Sequence, residues 1–167
     1  QYEVMQRLGP IEFTPQELAY AAEINAQNPP GVKKYLQERY DLSDEEIAQP
    51  LLGQVRESND IGDVMTGSTD VGDVSWITPV SMLITTCWPT NVSAHTWGVV
   101  ATGRMGIGHK GMMYAAKVMA QSAVELFKDP ARLAQVRAEF EAEIDKRPYV
   151  SPLPDDCMPP NNPHPLR

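Results

Sequence analysis

Apolar residues recur at helical spacing in two long segments of the last third of the chain. Asp129-Pro130 separates the two segments. The first stripe is Met112, Ala115, Ala116, Met119, Ala123 and Leu126, and the second is Leu133, Val136, Phe140 and Ile144. Spacings of three and four are typical of amphipathic helices, so we predict two helices, the first with this stripe buried.

Helix starts are also predicted in the first third. Thr14 and Ser43 each stand three residues before a glutamate, Glu17 and Glu46, which is the spacing of a capping box. We predict a helix from 15 to about 24, a second over 32–39, and a short third helix that Pro50 ends. No chemistry is predicted for this third of the chain.

The middle of the chain has the composition of strands. Residues 80–86 are mostly apolar or β-branched and lie between Pro79 and Pro89, which predicts one strand. Residues 97–102 predict a second strand, interrupted by Gly98. Because helices flank these strands, we expect an α/β fold with helices covering a sheet. Seven prolines follow Arg147, so we expect a domain over 1–147 and an extended tail over 148–167.

Charge and hydropathy exclude several classes of partner. The 167 residues include 14 Lys and Arg against 22 Asp and Glu, a net charge of −8. A nucleic-acid partner is therefore not expected, because phosphate binding needs clustered cations. No apolar run approaches the roughly 20 residues needed to cross a bilayer, and no signal-peptide pattern opens the chain, so we expect a cytoplasmic protein with no membrane partner.

Two of the three histidines lie in segments that are candidates for metal or ligand binding. His95 ends a polar loop, where an imidazole can bind a metal or simply form a local hydrogen bond. His109 and Lys110 lie between two glycines at the start of a predicted helix, where free amides suit an anionic group. The alternative for this second pair is an ordinary turn.

A segment rich in small and hydroxyl residues, 66–76, contains Ser68, Asp70 and Asp73. The two aspartates have the chemistry of metal ligands or of groups that orient a ligand. Equally, such a segment is typical of a simple turn. The chain has no H-x-D pair and no suitably placed Glu-Glu pair, so its residues alone do not complete a two-metal site.

The motifs themselves resemble a known family. They are the string GSTDVGDVSW over 67–76, HTW over 95–97, and IGHKGM with AAKVMA over 107–120. These strings resemble the C-terminal part of the aminobenzoyl-glutamate utilisation protein B family, metal-dependent amidohydrolases of the glutamate carboxypeptidase type. The opening LGPIEF and the later YVSPLP resemble it as well, so the resemblance covers nearly the whole chain.

The resemblance implies a fold and site residues. It implies the C-terminal portion of a three-layer α/β/α two-metal catalytic domain, with zinc or manganese as the metal. His95 is the implied metal ligand, and Asp70 lines the cleft. Ser68, His109 and Lys110 are the other residues we expect to contact substrate. The general base and the other ligands lie in an N-terminal half that these residues do not include.

Two functions follow. The first is a part of an amidohydrolase that cleaves an amide such as aminobenzoyl-glutamate, with no activity without the N-terminal half and, when intact, a homo-oligomer. The second is a non-catalytic domain that binds a partner or assembles.

Overall fold

The computed structural model describes residues 1–57, 67, 69–146, 148–151, 153–154 and 156–157. In these residues the secondary structure is helical. The helices are α1 (Tyr2–Leu8), α2 (Pro15–Ala26), α3 (Gly31–Tyr40), α4 (Asp44–Ala48), α5 (Val71–Val74), α6 (Trp97–Gly103), α7 (Gly106–Lys128) and α8 (Pro130–Lys146). None of the described helices is both long and apolar enough to cross a bilayer.

The predicted α/β class, and with it the three-layer α/β/α architecture, is wrong. The described residues form no strand and no sheet. Residues 80–86 are irregular, and no backbone hydrogen bond joins them to another described segment. A β-branched sequence favours an extended backbone, but a strand exists only where a second strand accepts its hydrogen bonds.

The second predicted strand is the helix α6. Gly98 and Thr102, four residues apart, are both buried, so they share one helical face. A Cβ added at Gly98 would lie 2.8 Å from Val92 Cγ1, so the missing side chain permits this close packing. The Thr102 hydroxyl donates to the Gly98 carbonyl at 3.0 Å. Packing thus overrides the strand preference of two valines.

The helices predicted from capping boxes and spacing are present. In α2 both halves of the box form, with Glu17 N donating to Thr14 Oγ1 at 3.2 Å and Thr14 N to Glu17 Oε2 at 2.7 Å. The long helix α7 is also present, but its predicted buried stripe is largely wrong. Met112, Ala116, Met119 and Ala123 are exposed, whereas Ile107, Gly111 and Val118 are buried.

The chain divides into two compact units. The first comprises residues 1–68 and 81–130, and the second comprises 69–80 and 131–167. In the first unit α7 packs against α1 and α6. Its buried cluster is Ala21, Leu51 and Ile107, with Phe13, Leu18 and Tyr20 packed around it. The boundary that we predicted at 147 stays a prediction.

A pair of buried asparagines joins α2 to the loop before α6. Asn91 is only 4% exposed, and its amide N–H donates to Asn25 Oδ1 at 2.8 Å. Its side-chain Nδ2 donates to the carbonyls of Asn25 at 3.3 Å and Asn28 at 2.9 Å, while Oδ1 accepts from Lys33 N at 3.3 Å. Asn25 Nδ2 in turn donates to the Pro50 carbonyl at 3.0 Å. We call these contacts the asparagine network.

We predict that Asn91→Ala lowers the free energy of unfolding by about 2–4 kcal/mol, because it removes three buried hydrogen bonds, two to the carbonyls of Asn25 and Asn28 and one from the Lys33 amide. Gln16→Ala, at an exposed position of α2, is the matched control and is expected to change stability by less than about 0.5 kcal/mol. Urea denaturation measures both. Equal midpoints for the two variants would contradict a central role for the network.

Candidate functional site

His109 and Lys110 lie at the start of α7, next to its corner with α6, whereas His95 lies before the start of α6. A Cβ at Gly108 would lie 2.5 Å from the Gly103 carbonyl oxygen, so glycine allows the first turn of α7 to touch the end of α6. A Cβ at Gly111 would lie 2.4 Å from the Thr86 carbonyl oxygen and 2.6 Å from Cys87 Sγ. The two glycines of the GHKG string therefore allow the backbone of α7 to pack closely against the end of α6 and against residues 86–87.

His109 lies in the first turn of α7 and is exposed. Its backbone amide donates to the Met105 carbonyl at 3.0 Å, and no side chain caps the helix. The imidazole is therefore accessible at the positive end of a long helix dipole, an arrangement compatible with an anionic ligand. The role of His109 in substrate binding stays a prediction.

Lys110 is held by contacts within the protein. Its Nζ donates to Glu17 Oε2 at 2.7 Å and to the Glu12 carbonyl at 2.8 Å, and lies 5.7 Å from the centre of the Phe13 ring. The positive charge of Lys110 is thus largely neutralised by α2 and the segment before it. These contacts give Lys110 a structural role, and its predicted contact with substrate stays a prediction.

The same ion pair affects the titration of Glu17. Partial desolvation is the largest influence and raises the pKa of Glu17. The hydrogen bonds from Lys110 and from the Thr14 amide, together with the charge of Lys110, act in the opposite direction and outweigh it. The pKa of Glu17 is therefore lowered from its ordinary value of 4.5. The contact that Glu17 makes between the start of α2 and the start of α7 is an ion pair only while Glu17 is ionised, and protonation weakens it.

His95 stands in an unusual backbone conformation. Its φ is 61°, in the left-handed region that few residues other than glycine adopt, and its side chain is exposed. The next residue, Thr96, precedes α6, and its hydroxyl donates to the Ser93 carbonyl at 2.7 Å. The turn therefore presents the imidazole to solvent just before the helix. Such conformations are enriched at functional sites.

The aspartates of the 66–76 segment lie in the second unit, and Ser68 lies outside the described residues. Asp70 is exposed and directly precedes the short helix α5. Asp73 accepts a hydrogen bond from the Tyr149 hydroxyl at 2.9 Å, and the Tyr149 ring lies 5.9 Å from that of Trp76. The bond to Asp73 is the main cause of a raised pKa of Tyr149.

Tyr149 was not among the predicted site residues. Its only signal in the sequence was its place in the YVSPLP string, which carried no indication of a partner. The structure therefore assigns one aspartate of the segment, Asp73, to a contact with the start of the tail.

The described residues do not by themselves fit a metal. In the ranges that the structure describes, no three His, Cys, Asp or Glu side chains come together in a way that could hold an ion. No hydrogen bond or ion pair there connects His95 with His109 or Lys110. A cleft of about 370 Å³ lies elsewhere in the first unit, lined by Phe13, Leu18 and Leu51 and by the ion pair of Arg56 with Glu46. None of the predicted site residues lines it.

The chain is similar to a subunit of the p-aminobenzoyl-glutamate hydrolase of Escherichia coli (strain K12). The two are 32% identical over an alignment that covers 95% of this chain and 35% of the relative. The chain thus spans about a third of the length of that relative. No protein-family model and no solved structure matches the chain. The similarity supports the resemblance seen in the motifs, whereas the metal-dependent peptidase assignment stays a prediction.

We predict that Gly108→Ala lowers the free energy of unfolding by about 1–3 kcal/mol, because its methyl group would meet the backbone of Gly103. Gly31→Ala is the matched control, since a Cβ there meets nothing within 4 Å. It is expected to leave stability unchanged or to raise it by up to about 1 kcal/mol. Thermal denaturation distinguishes the two, and a neutral Gly108→Ala would contradict the close approach of α6 and α7.

We also predict that Glu17→Gln lowers the free energy of unfolding by about 1–2 kcal/mol at pH 7. Because the folded pKa of Glu17 is lowered, its contribution is present above 4.5 and disappears as pH falls through the folded value. The difference from the unsubstituted chain should therefore shrink progressively as the pH falls below 4.5. Glu23→Gln, at an exposed position of the same helix, is the control. A difference independent of pH would contradict the ion pair.

Proposed function

We propose that this chain is part of a hydrolase that cleaves the amide bond of an aminobenzoyl-glutamate-type substrate. The observation that carries the proposal is the 32% identity over 95% of the chain to a subunit of p-aminobenzoyl-glutamate hydrolase. Because the chain spans 35% of that relative, we expect it to have no hydrolytic activity alone. Its relative is by name a subunit, so partner subunits belong to the proposal. The homo-oligomer remains a family-based expectation.

In this proposal the exposed groups of the chain face the substrate. A substrate with a glutamate moiety has carboxylates, and His109 at the start of α7 offers an imidazole beside a positive helix end. Contacts of Asp70 and Ser68 with substrate stay expectations from the family resemblance. Lys110 Nζ already donates to Glu17 and to the Glu12 carbonyl, which leaves one N–H for a substrate carboxylate, so we rank it below His109.

The proposal includes a divalent metal, zinc or manganese, to which His95 contributes one ligand. The left-handed turn that presents the imidazole supports this assignment. A single imidazole cannot hold the ion, and the described residues supply no further group of ligands. The other ligands and the general base would therefore come from polypeptide beyond this chain.

A non-catalytic binding or assembly domain is the second candidate. It is favoured by one observation, the large number of apolar side chains that the described residues leave exposed, among them Met82, Ile84 and Phe127. The two candidates differ in whether a longer polypeptide that contains this chain hydrolyses aminobenzoyl-glutamate.

We predict that His95→Asn, in the longer polypeptide, lowers metal content and turnover together, with turnover falling roughly 100-fold or more. Asparagine is chosen because it tolerates the left-handed conformation, so the turn is kept while the imidazole is lost. Elemental analysis and an amide-hydrolysis assay measure the two effects. An unchanged metal content would remove His95 from the ligand set, and an inactive unsubstituted protein would refute the proposed function.

A further inference from the structure

One side of α7 is apolar and exposed along most of the helix. Projected at 3.6 residues per turn, eight exposed residues fall in one arc, and the buried Ile107, Gly111 and Val118 fall in the opposite arc. We call this arc the apolar face of α7. Its residues are Met112, Met113, Ala116, Met119, Ala120, Ala123, Val124 and Phe127.

The apolar face contains no charged residue. Met112 is 57% exposed, Met119 52% and Phe127 86%, and the face extends over roughly 20 Å at 1.5 Å per residue. Alanines run along its centre, with larger side chains on both sides. A contiguous exposed apolar patch of this kind marks an interaction surface.

We propose that the apolar face of α7 is the surface on which the rest of a longer hydrolase polypeptide packs. This inference rests on the proposed function, since the occupant is the part that corresponds to the 65% of the relative that this chain does not span. The occupant would present an uncharged, apolar surface shaped to fit the row of alanines.

A second copy of the chain fits the observations less well. Each chain carries a net charge of −8, so two copies repel each other. A pair of α7 helices would also leave other apolar residues of the same unit uncovered, since Met82 and Ile84 are 70% and 71% exposed. A larger polypeptide can cover both regions.

The first test uses the chain alone. A docking surface contributes little to the stability of the chain itself, so Met119→Glu should shift the melting temperature by less than about 2 °C, and sedimentation should show a monomer. Val118→Glu, on the buried side of α7, is the control and should unfold the chain. If Met119→Glu unfolds the chain too, or abolishes a dimer, the proposal is overturned.

The second test uses the longer polypeptide, in which the missing part is present. Ala120→Cys should react with a maleimide at least roughly tenfold more slowly there than in the chain alone. Gln121, the neighbouring exposed residue, lies outside the apolar face. A Gln121→Cys thiol should therefore react at the same rate in the chain alone and in the longer polypeptide. Reaction at each site is read by peptide mass spectrometry. An Ala120→Cys thiol that reacts equally fast in both would overturn the proposal.

Hydrolysis of aminobenzoyl-glutamate by the same longer polypeptide is measured separately. A protected Ala120→Cys thiol in a protein without hydrolytic activity would refute the proposed function and leave the docking surface supported. An unprotected Ala120→Cys thiol in an active hydrolase would overturn the docking surface and leave the proposed function supported.

Discussion

The first unit has no sheet among its described residues, so buried backbone N–H and C=O groups outside its helices need other hydrogen-bond partners. The asparagine network solves this problem at the junction of three segments: the end of α2, the start of α3 and the loop before α6. Asn25 and Asn91 are both buried, and between them they bond four backbone groups besides the Asn91 amide. Because an unpaired buried amide or carbonyl is costly, this network fixes the loop that leads to His95.

Local signals in the sequence predicted the helices well and the fold class poorly. Capping boxes at Thr14 and Ser43 act within one turn, so they can be read without knowing the tertiary structure. The strand prediction for 80–86 needed a partner strand, which no local pattern supplies. For 97–102, the decisive fact was the contact of Gly98 with Val92, a tertiary contact that the two valines of the segment do not indicate.

The sequence predicted candidate site residues but not their contacts. His95, His109 and Asp70 are exposed and their roles stay predictions, and the sequence could not show that Lys110 pairs with Glu17, 93 positions earlier. Nor could periodicity tell which side of α7 is buried, because the most apolar side, with Met112, Met119 and Ala123, is exposed, whereas the side with Ile107 and Val118 is buried. Burial here depends on tertiary contacts, such as that of Gly111 with Thr86, which helical spacing does not indicate.

Amide hydrogen exchange of the 167-residue chain, resolved by residue with NMR, tests the central claim most directly. The claim is that the asparagine network, rather than a sheet, organises the first unit. It predicts that the amides of Thr90 and Asn91 exchange as slowly as those in the middle of α7, and that the amides of 81–86 exchange rapidly. Slow exchange across 81–86, together with rapid exchange at Asn91, would contradict it.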